Sequence, residues 1–416
     1  MNERRRVVVT GIGAITPIGT GAAGLYEGMR RERSAVDQIT RFDASPFNSH
    51  IAAEVRDFDP LAHLDAKRAR RLDRFAQFSV AAAKQASEDA GLHLEDEDRD
   101  RCGVFIGAAL GGGAFAEEQH EIYLREGIRR VRPTLALAVF SGSASCNIAI
   151  DLGLTGPTSA NSDSCSSGAI AIGESLRFIQ HGYADLMFTG GVECPLAPLI
   201  FGAFDIIRAM SVRNDEPARA CRPFDKDRDG FVMAEGAAVL VLEELGRAER
   251  RGASIYGEVL GYGASNDAFH MTAPLPTGQQ AARSMRMALD DAQMVAAQVG
   301  YVNAHASSTP MNDGIETKAI KTALGEHAYQ IPVSGTKAMH GHSLGASGAI
   351  EAAICMLAFR HNYLPPTINL DSPDPECDLD YVPQEGREQS VDYILSNSFG
   401  FGGINATLAF GRYENR

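Results

Sequence analysis

No stretch of this 416-residue chain is apolar for long enough to cross a bilayer. The basic opening Arg4-Arg5-Arg6 runs into Val7-Val8-Val9, but Gly11 and Gly13 cut that apolar run short. A secretory leader is therefore not expected, and the chain reads as cytoplasmic. Paired cysteines are also missing. The seven cysteines, at 102, 146, 165, 194, 221, 355 and 377, are odd in number, and no two have C-x-x-C spacing. That excludes a disulfide framework or a zinc site and fits reduced thiols. Positive charge is in deficit: the formal net charge is −14, which argues against bulk association with nucleic acid or an anionic membrane. Low-complexity segments and long linkers are absent as well.

What remains is ordinary globular composition, 44% apolar and 22% charged, in a chain too long for one hydrophobic core. Two domains, or two halves of a duplicated one, are expected. Short apolar strands alternate with amphipathic helices. The strand candidates are 6–9, 104–106, 186–189, 238–242, 255–263, 300–303 and 393–397. The helix candidates are 72–90, 169–180, 279–292, 314–324 and 348–360. Such alternation predicts an α/β fold with mainly parallel pairing. Internal repetition is not visible in the sequence.

Three motifs promise more than they deliver. Thr10-Gly11-Ile12-Gly13 after a strand lacks the third glycine of a dinucleotide loop. Asp225-Lys226-Asp227-Arg228-Asp229-Gly230 opens like a calcium loop, but its twelfth position is Gly236 rather than a carboxylate. The 11 histidines contain no H-E-x-x-H, and His340 and His342 have no ligand cluster beside them, so no metal is expected.

Four other motifs carry chemistry. In Asn161-Ser162-Asp163-Ser164-Cys165-Ser166-Ser167-Gly168 a polar turn leads into a small-residue helix. A thiol in the first turn faces unpaired N–H groups and the positive end of the macrodipole, which favours thiolate and offers an oxyanion site. In Asn303-Ala304-His305-Ala306-Ser307-Ser308-Thr309 a strand delivers a histidine to a loop of hydroxyls. In Lys337-Ala338-Met339-His340-Gly341-His342-Ser343-Leu344-Gly345 a second histidine precedes a helix whose Glu351 can pair with Lys337. In Ser398-Phe399-Gly400-Phe401-Gly402-Gly403 aromatic side chains sit among glycines, as in a mobile loop with backbone donors.

The order and spacing of these motifs resemble the elongating β-ketoacyl-acyl-carrier-protein synthases of the thiolase superfamily, nearest to the type II enzymes of bacterial fatty acid synthesis. The resemblance covers essentially the whole chain, including Arg222-Pro223-Phe224-Asp225-Lys226 and Leu364-Pro365-Pro366-Thr367. It implies a five-layer α-β-α-β-α thiolase-like fold of two similar halves, residues 1–252 carrying the cysteine and 253–416 the two histidines. It implies an acyltransferase with Cys165 as the acylated nucleophile, His305 and His342 polarising the extender thioester, Lys337 beside them and Glu351 as its structural partner. Backbone N–H groups of Cys165 and Phe401 would form the oxyanion hole. Ser307 and Thr309 would hold the phosphopantetheine arm, Phe401 would gate, and Leu110 would line the acyl tunnel. Acyl carrier protein is the implied partner, docking on Lys67, Arg70, Arg71, Arg129, Arg130 and Arg208. No cofactor beyond its phosphopantetheine is implied. The family is usually homodimeric, and a heterodimer with a chain-length partner is the variant.

Two positions depart from the pattern: Ala306-Ser307 stand where the family has glycine and threonine, and Ile404 where threonine is common. The neighbouring readings differ by residue. A thiolase would carry a second cysteine near 396–405, which has none; chain-initiating synthases have asparagine in place of His342; non-catalytic chain-length subunits lack Cys165. The ketosynthase subunit of a type II polyketide or polyene pathway would share every catalytic residue and stands as the alternative.

Overall fold

The computed structural model describes residues 4–414. Its main sheet has 11 strands. The five in the first half of the chain are β1 (Val7–Thr16), β2 (Cys102–Gly107), β3 (Thr158–Asn161), β4 (Leu186–Glu193) and β5 (Gly236–Glu244). Five more follow: β6 (Gly257–Asn266), β7 (Tyr301–Asn303), β8 (Val333–Ser334), β9 (Tyr393–Gly400) and β10 (Ile404–Gly411). The order is β8-β7-β9-β10-β6-β1-β5-β4-β2-β3, with a two-residue strand, Gly19–Thr20, paired to β1 off this path.

The two halves of that order repeat. In each, the third strand lies at the edge, followed by the second, fourth, fifth and first. In each, the second strand pairs parallel with the third and fourth, while the fifth pairs antiparallel with both its neighbours. The chain is thus a structural duplication, joined where Val8 and Val9 pair with Glu258 and Gly257. Mainly parallel pairing, the expectation from strand–helix alternation, is corrected to parallel flanks around an antiparallel centre. The reason is that β4→β5 and β9→β10 return on the adjacent strand without a right-handed helical crossover between them.

The helices that matter are α1 (Arg74–Asp89), α2 (Gly113–Glu126), α3 (Ser143–Leu152), α4 (Ser167–Gln180), α5 (Pro198–Ile206), α6 (Gln279–Asp291), α7 (Asn312–Leu324) and α8 (Ser347–His361). Helix α1 packs on β1, β5 and β4, with α3 beside it. Helices α6 and α7 cover the other half, α6 on β6 and β10. Between the halves lie α4 and α8, which touch strands of both. This is the five-layer α-β-α-β-α order of the thiolase-like fold. Three large buried clusters fill the spaces between these layers: one under α1 on the first half, one around α4 and α8 and the strands on both sides of them, and one under α6 and α7 on the second half.

Small residues set the spacing. Gly11 and Gly13 lie inside β1 rather than ending a strand, because a Cβ there would stand 2.2 Å from the Ala86 carbonyl oxygen and 1.8 Å from that of Ala82. They let α1 press its backbone against the strand. In the middle layer, a Cβ on Gly168 would meet Ala349 N at 2.9 Å, and one on Gly348 would meet Ala169 N at 2.9 Å. The two central helices therefore cross backbone to backbone near their N-terminal ends. That crossing brings together the turns that precede them.

Candidate active site

Each central helix is entered through a single 3-10 turn, Ser164–Ser166 before α4 and Leu344–Ala346 before α8. Each turn opens on a non-glycine residue with positive φ, Ser164 at 56° and Leu344 at 42°. These sharp entries present Cys165 and His342 toward each other. His342 Nε2 lies 3.1 Å from Cys165 Sγ, and its Nδ1 lies 2.8 Å from the Ser347 hydroxyl. The sequence placed Cys165 in the first helical turn. The structure puts it one short turn earlier, on the bend itself.

His305 follows β7 and faces His342, with ring centroids 5.4 Å apart and planes at 84°. Lys337, fully buried, donates to the His305 carbonyl at 2.5 Å, stands 3.5 Å from His305 Nδ1, and is ion-paired with buried Glu351. An ammonium has only hydrogens to offer, so His305 Nδ1 accepts and Nε2 carries the proton toward the site. The expectation that the helix start favours thiolate at Cys165 fails. Burial, reinforced by Lys337, holds both imidazoles well below their ordinary value, so they are neutral. Burial also pushes the Cys165 thiol up, against the lowering effects of the Ser164 hydroxyl, the Phe401 N–H and Lys337. Cys165 is only 6% exposed, and loss of hydration outweighs the favourable field of the helix start. The resting pair is thiol and imidazole, with the proton acceptor already in contact.

The 399–405 loop closes the site. The Phe401 N–H acts to lower the Cys165 thiol, and the Ser166 hydroxyl lies 2.9 Å from the Ser398 carbonyl and 2.8 Å from that of Ile404. The Phe401 ring stacks on Phe204 at 6.2 Å. A cavity of about 220 Å³ reaches Cys165, His305 and His342, and Ser307, Thr309, Phe401 and Arg208 also line it. Ser307 and Thr309 hydroxyls are 3.0 Å apart. Leu110 is not on this cavity's wall. It packs in the apolar cluster that contains Cys165. Of the basic residues, Arg208 stands at the cavity, Lys67 and Arg71 line a separate surface groove with Asn147 and Ile150, and Arg70, Arg129 and Arg130 are exposed. Among the described residues there is no group of three or more metal-ligating side chains.

Two carboxylates were missed by sequence reasoning. Glu316, on α7, accepts from the N–H groups of His305 and Ala306 at 2.8 and 2.7 Å, and so fixes the histidine loop. Glu193, at the end of β4, accepts from Ala109, Leu110 and Gly345 at 2.6, 3.1 and 3.1 Å, tying the loop of one half to the helix turn of the other. Burial pushes both up to about 7. A lone glutamate in an apolar strand (Glu193) or in the first turns of a helix behind a polar loop (Glu316) was the available signal. Arg228 adds a third support, donating to the carbonyls of Thr309 and Pro310 at 3.0 Å each.

Residues 4–248 match the family model described as "Beta-ketoacyl synthase, N-terminal domain", and residues 256–371 match its C-terminal counterpart. The chain is 50% identical to 3-oxoacyl-[acyl-carrier-protein] synthase 2 of Synechocystis sp. over 99% of both chains. It is 44% identical to the protein of that name from Staphylococcus aureus over 100% of both. Among solved structures, a type II PKS ketosynthase in complex with its acyl-carrier protein superposes with a TM-score of 0.92 at 35% identity, covering 99% of this chain and all of that one. The ishigamide ketosynthase/chain length factor gives 0.92 at 37% over the same extents. Family models over both halves and full-length relatives at this identity lead to one assignment: the chain belongs to the β-ketoacyl synthase family.

Proposed function

We infer that this chain is a 3-oxoacyl-[acyl-carrier-protein] synthase that condenses an acyl group held on Cys165 with malonyl-acyl carrier protein in fatty acid elongation. The observation that carries the reading is the convergence of one thiol and two neutral imidazoles on one cavity that Phe401 also lines. Cys165 attacks the acyl thioester; its proton passes to His342 and on to the departing pantetheine thiolate. The malonyl arm then lies along Ser307 and Thr309. Carbon dioxide leaves, and the electron pair moves into an enolate held by N–H donation from His305 and His342. The carbanion attacks the acyl carbonyl on Cys165. N–H groups of Cys165 and Phe401 hold the tetrahedral oxyanion, each worth about 3 kcal/mol of barrier. Collapse expels the Cys165 thiolate, which is reprotonated from water by way of His342, and releases a chain two carbons longer. These side chains and one proton from water meet every proton and electron-pair step, so no resident cofactor is proposed.

A ketosynthase subunit of a type II polyketide pathway would use the same residues. Elongation is favoured because the curated synthases stand at 44–50% identity, against 35–37% for the polyketide-type structures. The direct test incubates purified protein with acyl- and malonyl-carrier protein. A 3-oxoacyl-carrier product formed from even-numbered saturated primers supports elongation. Product only in the presence of a second, dissimilar subunit would support the polyketide reading instead.

We further propose a cytoplasmic homodimer with domains at 1–252 and 253–416. In support, β3 is a sheet edge, and Leu137, Phe140 and Ile150 are exposed apolar residues on the adjoining helical segments. Among the described residues, no helix is long and apolar enough to cross a membrane. Lys67, Arg70, Arg71, Arg129, Arg130 and Arg208 are all exposed and are proposed as the docking surface for an acidic carrier protein.

A further inference from the structure

The turn that carries Cys165 and the loop that faces it meet backbone to backbone. Strands β9 and β10 are antiparallel neighbours with Gly400 opposite Ile404, so Phe401–Gly403 form the tip of a hairpin. A Cβ on Gly400 would stand 3.1 Å from Cys165 N and 3.2 Å from Ser164 Cβ. The hairpin therefore lies on the turn as closely as a glycine permits, and the next amide is that of Phe401. Its N–H acts on the Cys165 thiol. For that N–H to hold an oxyanion, its place over Cys165 must be kept while carrier-borne substrates enter and leave.

The bonds that keep it there fall into two sets. The tip is tied to the surface segment 266–271. Gly402 N donates to the Met271 carbonyl at 2.7 Å, Asn266 Nδ2 to the Gly402 carbonyl at 2.9 Å, and Asp267 N to the Gly403 carbonyl at 2.8 Å. Asn266 and Met271 are exposed, so water competes for these bonds. The arms of the hairpin are tied to the nucleophile turn by a buried side chain. The Ser166 hydroxyl, fully buried, lies 2.9 Å from the Ser398 carbonyl on β9 and 2.8 Å from the Ile404 carbonyl on β10. One hydroxyl hydrogen shared by two carbonyls fastens both arms to the residue that follows Cys165. Ser166 does not line the cavity, so its effect on substrate passes through the loop.

We propose that Ser166 is a positioning residue that registers the Phe401 amide over Cys165 for the two steps that form an oxyanion there, acyl transfer and condensation. This rests on the proposed condensing function. Malonyl decarboxylation uses the His305 and His342 imidazoles of the same cavity and no donor at the Cys165 acyl group, so it separates loss of register from damage to the site. The test measures three rates in Ser166→Ala: acylation of Cys165 from acyl-carrier protein, decarboxylation of malonyl-carrier protein, and condensation. Acylation and condensation fall by roughly ten-fold, less than the loss from removing an oxyanion donor outright, through kcat with KM little changed. Decarboxylation stays at the wild-type rate. Ser166→Thr, which keeps the hydroxyl, recovers most of the lost rate. Equal loss of all three rates in Ser166→Ala, or loss of none, overturns the assignment and leaves condensation by the wild type intact. A wild type that takes no acyl group on Cys165 overturns the assignment and the proposed function together.

Discussion

The buried thiol of Cys165 resists ionisation, so its reactivity depends on the imidazole 3.1 Å away and on what holds that ring. Ser347 is the one side chain on His342 Nδ1 among the described residues. Its hydroxyl can accept when Nδ1 carries the proton and donate when Nε2 does, so it serves both proton states the cycle requires. Ser347→Ala is expected to slow acylation and condensation by roughly ten-fold, the worth of about 1.4 kcal/mol, through kcat with KM little changed. Equal rates for wild type and variant would remove Ser347 from the mechanism. The neutral histidines give a second expectation. Both are held well below 6.5, so malonyl decarboxylation should not fall as the pH is lowered through 6.5, where an ordinary imidazole would be half charged. Below that pH the unfolded chain binds these protons and the folded one does not, so the stability they contribute declines with falling pH. A half-maximal rate at 6.5 would show an imidazole with ordinary protonation.

Among the elements, the strand–turn–helix units were the most legible. Helices predicted at 169–180, 279–292 and 348–360 form over Ser167–Gln180, Gln279–Asp291 and Ser347–His361; apolar residues recur at helical spacing in the second, while the third is small and apolar all round because it is buried between the halves. Strands β3, β8 and β10 were not anticipated. β3 is Thr-Ser-Ala-Asn with no bulky apolar residue, and β10 follows a glycine loop that disguises its start. The cysteine and histidine motifs could be read because their residue types suit the chemistry. Their supports, Glu193 and Glu316, could not, since each acts on backbone distant in sequence. The 304–309 loop shows the cost of such support. Ala306 has φ of 44° where the resembling family has glycine. A Cβ in the left-handed region is strained by about 1–2 kcal/mol, partly offset by the entropy glycine loses on folding. Ala306→Gly is expected to gain about 0.5–1 kcal/mol, seen as a raised thermal midpoint. A lowered midpoint would mean that packing of the Ala306 methyl outweighs the strain.

For the whole molecule, no internal repeat is visible in the sequence, and two similar halves were expected from length and from the resemblance; the shared strand order shows them. The duplication has a chemical consequence. The crossing of α4 and α8 at Gly168 and Gly348 places one helix entrance from each half at a single point, so cysteine and histidine come from opposite halves. The exposed basic set makes a surface prediction: Lys67→Glu with Arg71→Glu should raise KM for carrier-borne substrate and leave turnover of short acyl-pantetheine unchanged. Loss with both substrates would point to damage of the fold. The most direct test of the central claim is to follow Cys165→Ala with acyl- and malonyl-carrier protein, measuring the intact-protein mass and carbon dioxide release together. The wild type should gain one acyl group mapped to the peptide containing Cys165 and release carbon dioxide; the variant should gain none yet still decarboxylate through His305 and His342. An acyl adduct on another residue, or decarboxylation lost with the thiol, would contradict the division of labour between cysteine and histidines.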